Sequence, residues 1–253
     1  MTKYVESASG NRLAYRQSDS AAGKPRLVWM SGFNSDMTGS KVLAVEEWAK
    51  MNGFPFLAFD YSGHGESGGK FEDGTITMWR EDCLSVVDQL TTEPLLLLGS
   101  SMGGWMALLT ALARSDRVKG MVLIAPAPDF TQKLMWPEFS EDAQRAILQD
   151  GLWMRPSEYG DPYPITRALI EDGRRWQILD DDIPINVPIR ILQGKEDPDV
   201  PWTHALELVS KLEAQDVLFT LVKDGDHRLS REQDISRLLS TLDELTALLL
   251  PVE

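Results

Sequence analysis

Apolar residues recur along this chain in two rhythms. Short runs with strand character alternate with longer stretches of helical spacing. NRLAYRQ (residues 11–17) alternates and predicts an early edge strand. PRLVWM (residues 25–30) follows as a buried strand ending at Ser31 and Gly32. Over residues 41–52, Val42, Val45, Trp48 and Ala49 fall on one helical face. FPFLAFD predicts another strand, and the turn-rich YSGHGESGGKFED follows it. Residues 77–90 read as a helix with Thr75 or Thr77 as N-cap. PLLLLG is a continuous apolar run of the kind found in central strands covered on both faces. MGGWMALLTALARS then reads as a helix, and VKGMVLIAPAP as a strand stopped by prolines.

The repeated strand–helix order predicts an α/β fold with a mostly parallel sheet and helices on both sides. It breaks between residues 129 and 183, where short helical patterns are interrupted by Pro137, Pro156, Pro162 and Pro164. Residues 1–128 and 184–253 are therefore expected to form the core, and 129–183 a helical cap insertion. The rhythm resumes with VPIRILQG as a strand and THALELVSKL as a helix capped by Thr203. DVLFTLV is the last strand. A long final helix carries Ile235, Leu238, Leu239, Leu242, Leu245 and Leu249 as its apolar stripe.

Composition narrows the classes of function. The 253 residues suffice for one large domain with a real core. The formal net charge of -14 repels phosphate backbones and anionic lipid heads, which argues against nucleic-acid binding. Cys83 is the single cysteine, so neither an intrachain disulfide nor a multi-cysteine metal site is available. Its place in the amphipathic MWREDCLSVVDQL predicts a buried structural thiol. No stretch approaches the roughly 20 apolar residues of a membrane span, and the N-terminus carries no signal-peptide pattern. A cytoplasmic protein without integral membrane association is the expectation.

The candidate chemistry centres on Gly99-Ser100-Ser101-Met102-Gly103, which fits G-x-S-x-G between a strand and a helix. A serine at such a turn is held strained, with its hydroxyl lifted clear of the sheet. The pattern puts Ser101 at the centre and Ser100 off it. The N–H of Met102 opens the helix and faces an oxyanion forming on Ser101. Gly32 lets the chain turn at another strand end and offers the N–H of Phe33 as the second donor.

A serine needs a base, and the chain has 3 histidines: His64, His204 and His227. His227 comes last and lies on a loop between the final strand and helix, where α/β sheets place their ligands. His64 and His204 read as structural. Asp197 directly follows a strand and is the expected third member. Asp129, after LIAPAP, is its main rival, with Asp199 and Asp226 nearby in sequence. No zinc motif, P-loop or dinucleotide fingerprint is present, so the chemistry should need no cofactor or metal. Trp136, Phe139, Trp153 and Trp176 are candidates for an acyl groove, or for the core of the cap. The insertion is acidic, with 12 Asp/Glu against 6 Lys/Arg. That disfavours a highly anionic leaving group.

The turn at Ser101, with SGF, DYSGHGES, GKEDPDVPW and GDHRL, resembles the α/β-hydrolase superfamily over essentially the whole chain. SGFNSDMTGSKVLAVEEWA, FDYSGHGESGG, GSSMGGWMALLTALAR and VPIRILQGKEDPDVPW look like the abhydrolase domain-containing 10 family. The resemblance implies a serine hydrolase with Ser101 as nucleophile, Asp197 as acid and His227 as base. It places the oxyanion hole at the Phe33 and Met102 amides. Ser31 departs from the histidine many members carry before this glycine. The likeness further implies cleavage of acyl esters or thioesters, small-molecule or lipidated, such as palmitoyl cysteine or acyl glucuronides. Animal members are mitochondrial. This N-terminus is not transit-like, which fits a bacterial relative or a mature form. A carbon–carbon hydrolase, an acyltransferase and a ligand-binding protein with an inert triad are the alternatives on the same fold.

Overall fold

A computed structural model of the chain describes residues 2–19, 23–156 and 161–250. In chain order the first half contains β1 (Lys3–Glu6), β2 (Arg12–Ser18), β3 (Arg26–Met30), α1 (Ser40–Met51) and β4 (Phe56–Phe59). It continues through α2 (Ile76–Leu90), β5 (Leu95–Ser100), α3 (Met102–Ala113) and β6 (Val118–Ile124). An excursion from the sheet then holds α4 (Glu141–Asp150), the strands β7 (Leu152–Arg155) and β8 (Tyr163–Thr166), and α5 (Arg167–Gly173). The chain returns as β9 (Ile189–Gly194), α6 (Trp202–Lys211), β10 (Val217–Val222) and α7 (Glu232–Leu249).

The main sheet has 8 strands in the order β1-β2-β4-β3-β5-β6-β9-β10. β1 and β2, and β2 and β4, pair antiparallel, and every other pairing is parallel. The chain thus has the mostly parallel, helix-flanked α/β-hydrolase sheet. β2 is not the edge, because β1 lies outside it. KYVE is too short and too polar to announce a strand by pattern.

Period-two geometry explains why the central strands are apolar throughout. Leu95 and Leu97 face one cluster with α2 and α3, while Leu96 and Leu98 face another with α1 and α7. All four leucines are fully buried. Each contributes about 2 kcal/mol relative to an exposed position. The stripe on α7 meets the second cluster mainly through Leu238, Leu242 and Leu245. Thr75 caps α2, its side chain accepting Met78 N–H at 3.1 Å. Thr203 does not cap α6: the cap position is Pro201, and Thr203 lies inside the first turn. Cys83 is buried, and burial pushes its thiol pKa up.

The excursion is less helical than its spacing predicts, because β7 and β8 pair as an antiparallel hairpin. Pro164 sits in β8 on this 2-stranded sheet, where a missing N–H costs no ladder bond on the open side. The excursion shares the first apolar cluster with the main sheet through Phe130, Ile147, Ile165 and Ile170. It is also tied to α2: Asp172 accepts both Thr77 N–H and Thr77 Oγ1–H at 2.7 Å. Among the described residues no helix is long and apolar enough to cross a membrane.

Candidate active site

The site is built where β5 turns into α3. Ser101 holds φ 56 and ψ -121, a region that costs a non-glycine residue about 1–3 kcal/mol. Backbone bonds on three sides maintain it. Ser101 N–H donates to Ile124 O at 2.9 Å, while Ser101 O accepts from Gly104 N–H at 2.8 Å and Ala127 N–H at 3.1 Å. The turn also needs backbone-to-backbone contact. A Cβ on Gly103 would stand 2.0 Å from Met30 O, and one on Gly99 would stand 2.3 Å from Gly103 O. Ser100, in contrast, is an ordinary strand residue paired with Ile124.

β9 and β10 bring the other two groups. Asp197 follows β9 and His227 follows β10, so these parallel neighbours end side by side. His227 Nδ1 lies 2.8 Å from Asp197 Oδ2, and its Nε2 lies 3.1 Å from Ser101 Oγ. The carboxylate cannot donate, so Nδ1 carries the proton and Nε2 is left to accept from the serine. The Asp197 carboxylate is 0% exposed. Its Oδ1 accepts from Asp199 N–H at 2.9 Å and Val200 N–H at 2.8 Å. Its Oδ2 also accepts from Gln193 Nε2 at 3.1 Å. Asp197, Asp199 and His227 offer atoms within 4.8 Å of one another, a spacing open to a metal ion. Both Asp197 oxygens are already engaged by these donors.

The rivals of Asp197 have other work. Asp129 accepts Ile178 N–H at 3.0 Å and Leu179 N–H at 2.9 Å, anchoring the return of the excursion. Asp226 accepts Leu229 N–H at 2.9 Å within the histidine loop. His204 donates to Pro128 O at 2.8 Å and is buried. His64 is buried as well, and desolvation lowers its pKa to about 4. Ser31 supports the loop after β3, bonding Asp36 O at 3.1 Å.

A cavity of about 670 Å³ opens over Ser101 and His227. Phe33 and Met102 line it, as do Phe130, Leu134, Met135 and Tyr163. Met102 begins α3, so its N–H has no intrahelical acceptor. None of Trp136, Phe139, Trp153 and Trp176 is among the lining residues. They are instead the packing of the excursion. Phe139 stacks edge-on against Trp153 at 5.2 Å and against Trp136 at 6.4 Å. Trp176 donates to Thr77 Oγ1 at 2.7 Å and lies beneath Arg80. Of the two places expected for them, acyl groove or core of the cap, these contacts are those of the second, and the apolar residues on the cavity wall include Phe130, Leu134, Met135 and Tyr163.

Two lining or supporting groups escape sequence reasoning. Lys41 lines the cavity and donates to Arg228 O, fixing α1 to the histidine loop. Desolvation lowers its pKa to about 8. Gln193, fully buried, donates to Asp197, Gly194 O and Val200 O. Neither stands out in the chain: the Lys41 contact joins segments 187 residues apart, and the Gln193 contacts, though local, depend on how the chain turns after β9.

Comparison with known proteins agrees with this architecture. Residues 23–168 match the family model described as serine aminopeptidase, S33. Human palmitoyl-protein thioesterase ABHD10, mitochondrial, is 36% identical over 236 residues, covering 92% of this chain and 76% of the relative. Among solved structures, a putative hydrolase from Agrobacterium vitis S4 superposes with a TM-score of 0.94 at 43% identity, covering 97% of this chain and 98% of the other. Mouse α/β-hydrolase domain-containing protein 10 gives a TM-score of 0.90 at 33% identity, covering 99% and 100%. The chain belongs to the α/β-hydrolases, in the family that contains the ABHD10 thioesterases.

Proposed function

We propose that this chain is a serine hydrolase of acyl esters or thioesters, working through an acyl-enzyme. The observation that carries the proposal is the hydrogen-bonded line from Asp197 through His227 to Ser101 Oγ, on a strained turn facing the cavity. His227 Nε2 takes the serine proton as Oγ attacks the carbonyl carbon. The carbonyl oxygen becomes an oxyanion held by the N–H groups of Phe33 and Met102. Buried Asp197 stabilises the imidazolium formed and keeps Nδ1 protonated. His227 then gives its proton to the leaving alcohol or thiol as the acyl bond to it breaks. Water, activated by the same nitrogen, cleaves the acyl-serine and restores the site.

The apolar wall formed by Phe130, Leu134, Met135 and Tyr163 suits an acyl chain better than a peptide or sugar on that side. This favours fatty acyl substrates, in keeping with relatives named palmitoyl-protein thioesterases. A chain-length series of p-nitrophenyl esters and matching acyl thioesters, run with wild type and Ser101→Ala, is the test. Turnover abolished in a folded Ser101→Ala protein is the expected result. Wild-type turnover in that variant would overturn the serine mechanism. A fluorophosphonate that fails to label folded wild type would point instead to a binding protein, and product capture by an added alcohol would identify an acyltransferase.

A further inference from the structure

The loop that carries Phe33 is not held by its own backbone alone. Gly32 O accepts Ser35 N–H at 3.2 Å, closing a tight turn. Inside that turn Asn34 takes φ 53, a left-handed conformation unfavourable for most side chains and better tolerated by asparagine. Something outside the turn must hold it there.

His64 does so. Its Nε2 accepts Asn34 N–H at 3.2 Å, and its Nδ1 lies 3.2 Å from Ser62 O. A carbonyl can only accept, so Nδ1 bears the proton and Nε2 is free to accept from Asn34. Ser62 is itself fixed, since Asp82 accepts Ser62 N–H at 2.8 Å and Ser62 Oγ–H at 3.1 Å. Trp79 Nε1 donates to Ser62 O, the carbonyl oxygen that faces His64 Nδ1, at 3.1 Å. The His64 ring packs edge-on against Phe71 at 5.1 Å and Trp79 at 5.4 Å. Phe33 leans on the same two rings, at 4.9 Å and 5.7 Å. One aromatic cluster therefore grips both residues of the turn, Phe33 by its side chain and Asn34 by its amide.

We infer that His64 is a positioning residue for the proposed oxyanion hole, setting through Asn34 the direction in which the Phe33 amide points. His64 is 4% exposed and is not among the cavity-lining residues, so it acts through the loop and not on substrate. The peptide planes on either side of Phe33 share its Cα, so an anchored Asn34 N–H restricts the rotation of the Phe33 N–H. Burial keeps the imidazole neutral, and hence an acceptor, down to about pH 4, against the opposing pull of the Ser62 carbonyl and of Asp36. This role rests on the esterase function proposed above, and it gives the histidine of the glycine-rich loop a mechanical part in that function.

The test compares three variants. His64→Phe keeps a ring and removes the acceptor. His64→Asn is too short to reach Asn34. His64→Gln returns an amide oxygen near the position of Nε2. With a short ester, Phe and Asn should lower kcat by about tenfold or more with KM within about twofold, because a misaligned Phe33 amide weakens binding of the oxyanion and not of the ground state. Affinity for a trifluoromethyl ketone, whose hemiketal oxyanion occupies the hole, should fall in step with kcat/KM. His64→Gln should recover most of both. Hydrogen exchange of the segment 32–36 is read alongside, and needs no turnover: it should speed up in His64→Phe and His64→Asn and not in His64→Gln. Unchanged exchange and unchanged kcat in either folded acceptor-less variant would sink the inference. Faster exchange in a protein whose wild type has no esterase activity would retain the anchor and reject the proposed function.

Discussion

His227 Nε2 stands 3.1 Å from Ser101 Oγ, although 126 residues of chain separate them. The approach is made by topology. β5, β6, β9 and β10 run parallel and in that order, so the turns after β5, β9 and β10 open on the same edge of the sheet. Asp197 then decides which face of the imidazole meets the serine. Asp197→Asn would place an amide opposite Nδ1 and favour the wrong tautomer. Its expected cost is about 10³–10⁴-fold in kcat with little change in melting temperature. Asp199→Asn, which keeps the backbone donor to Asp197, should stay near wild type. Equal losses in both variants would remove Asp197 from its proposed role.

Gly103→Ala is expected to act on folding before it acts on chemistry. The added methyl would sit 2.0 Å from Met30 O, a backbone atom of β3 that cannot swing away. α3 would have to lift from the sheet at the point where it carries the serine turn. The expected cost is about 3 kcal/mol or more, read as a fall in the urea midpoint at unchanged m-value. A variant as stable as wild type would mean that α3 is free to slide over β3.

Asp129 gives a contrasting outcome. Its carboxylate is fully buried and receives the N–H groups of Ile178 and Leu179. Asp129→Ala leaves those donors without their acceptor, at about 2–4 kcal/mol of stability. Turnover per folded molecule should be unaffected, since none of these atoms faces the cavity. A loss of kcat with stability intact would restore Asp129 as a candidate acid.

These contrasts show what the chain makes legible. The turn at Ser101 is local: an apolar strand, 2 flanking glycines and a helix lie within a few residues, so the sequence displays it whole. His227 and Asp197 are legible by order, because few histidines compete and each group directly follows a strand. The link from His64 to Asn34 depends on which loops the sheet brings together, and that from Gln193 to Asp197 on how the chain turns after β9. β7 and β8 are hidden for a different reason. Strands of 4 residues with Pro156 and Pro162 between them and Pro164 inside the second read as broken helix. The tryptophans of the insertion leave two readings open in the sequence because bulk and apolarity suit a groove and a small core equally. Only the hairpin, turning Trp153 toward Phe139, separates the two.

Leu134 and Trp153 should accordingly answer differently to substitution. Leu134 lines the cavity, whereas Trp153 packs on Phe139 away from it. Leu134→Trp is expected to shift the preferred acyl chain toward shorter esters with stability little changed. Trp153→Ala should cost about 2–4 kcal/mol and leave the chain-length profile unshifted. Specificity constants across an ester series, beside urea melts, check both. The reverse pattern would return Trp153 to the acyl groove.

His64 also predicts how stability responds to acid. Its pKa is lowered by burial from 6.5 to about 4, so between these values the unfolded chain binds a proton that the folded one refuses. Its contribution is therefore full above pH 6.5 and falls away as pH drops through that window. His204, lowered mainly by burial, acts in the same direction. Asp82 opposes them. Burial raises its pKa from 3.8 to about 6, so the folded state binds the extra proton there and gains relative stability as pH falls. The wild-type profile blends these contributions, and a difference measurement isolates one. Replacing His64 with Gln removes a group that penalises the folded state in acid. The stability of the variant relative to wild type should improve by about 3 kcal/mol between about pH 7 and about pH 4. Urea unfolding of both proteins across that range checks the sign and the size. A difference that stays constant with pH would show that His64 titrates alike in the folded and unfolded chains, and that burial does not keep its ring neutral below pH 6.5.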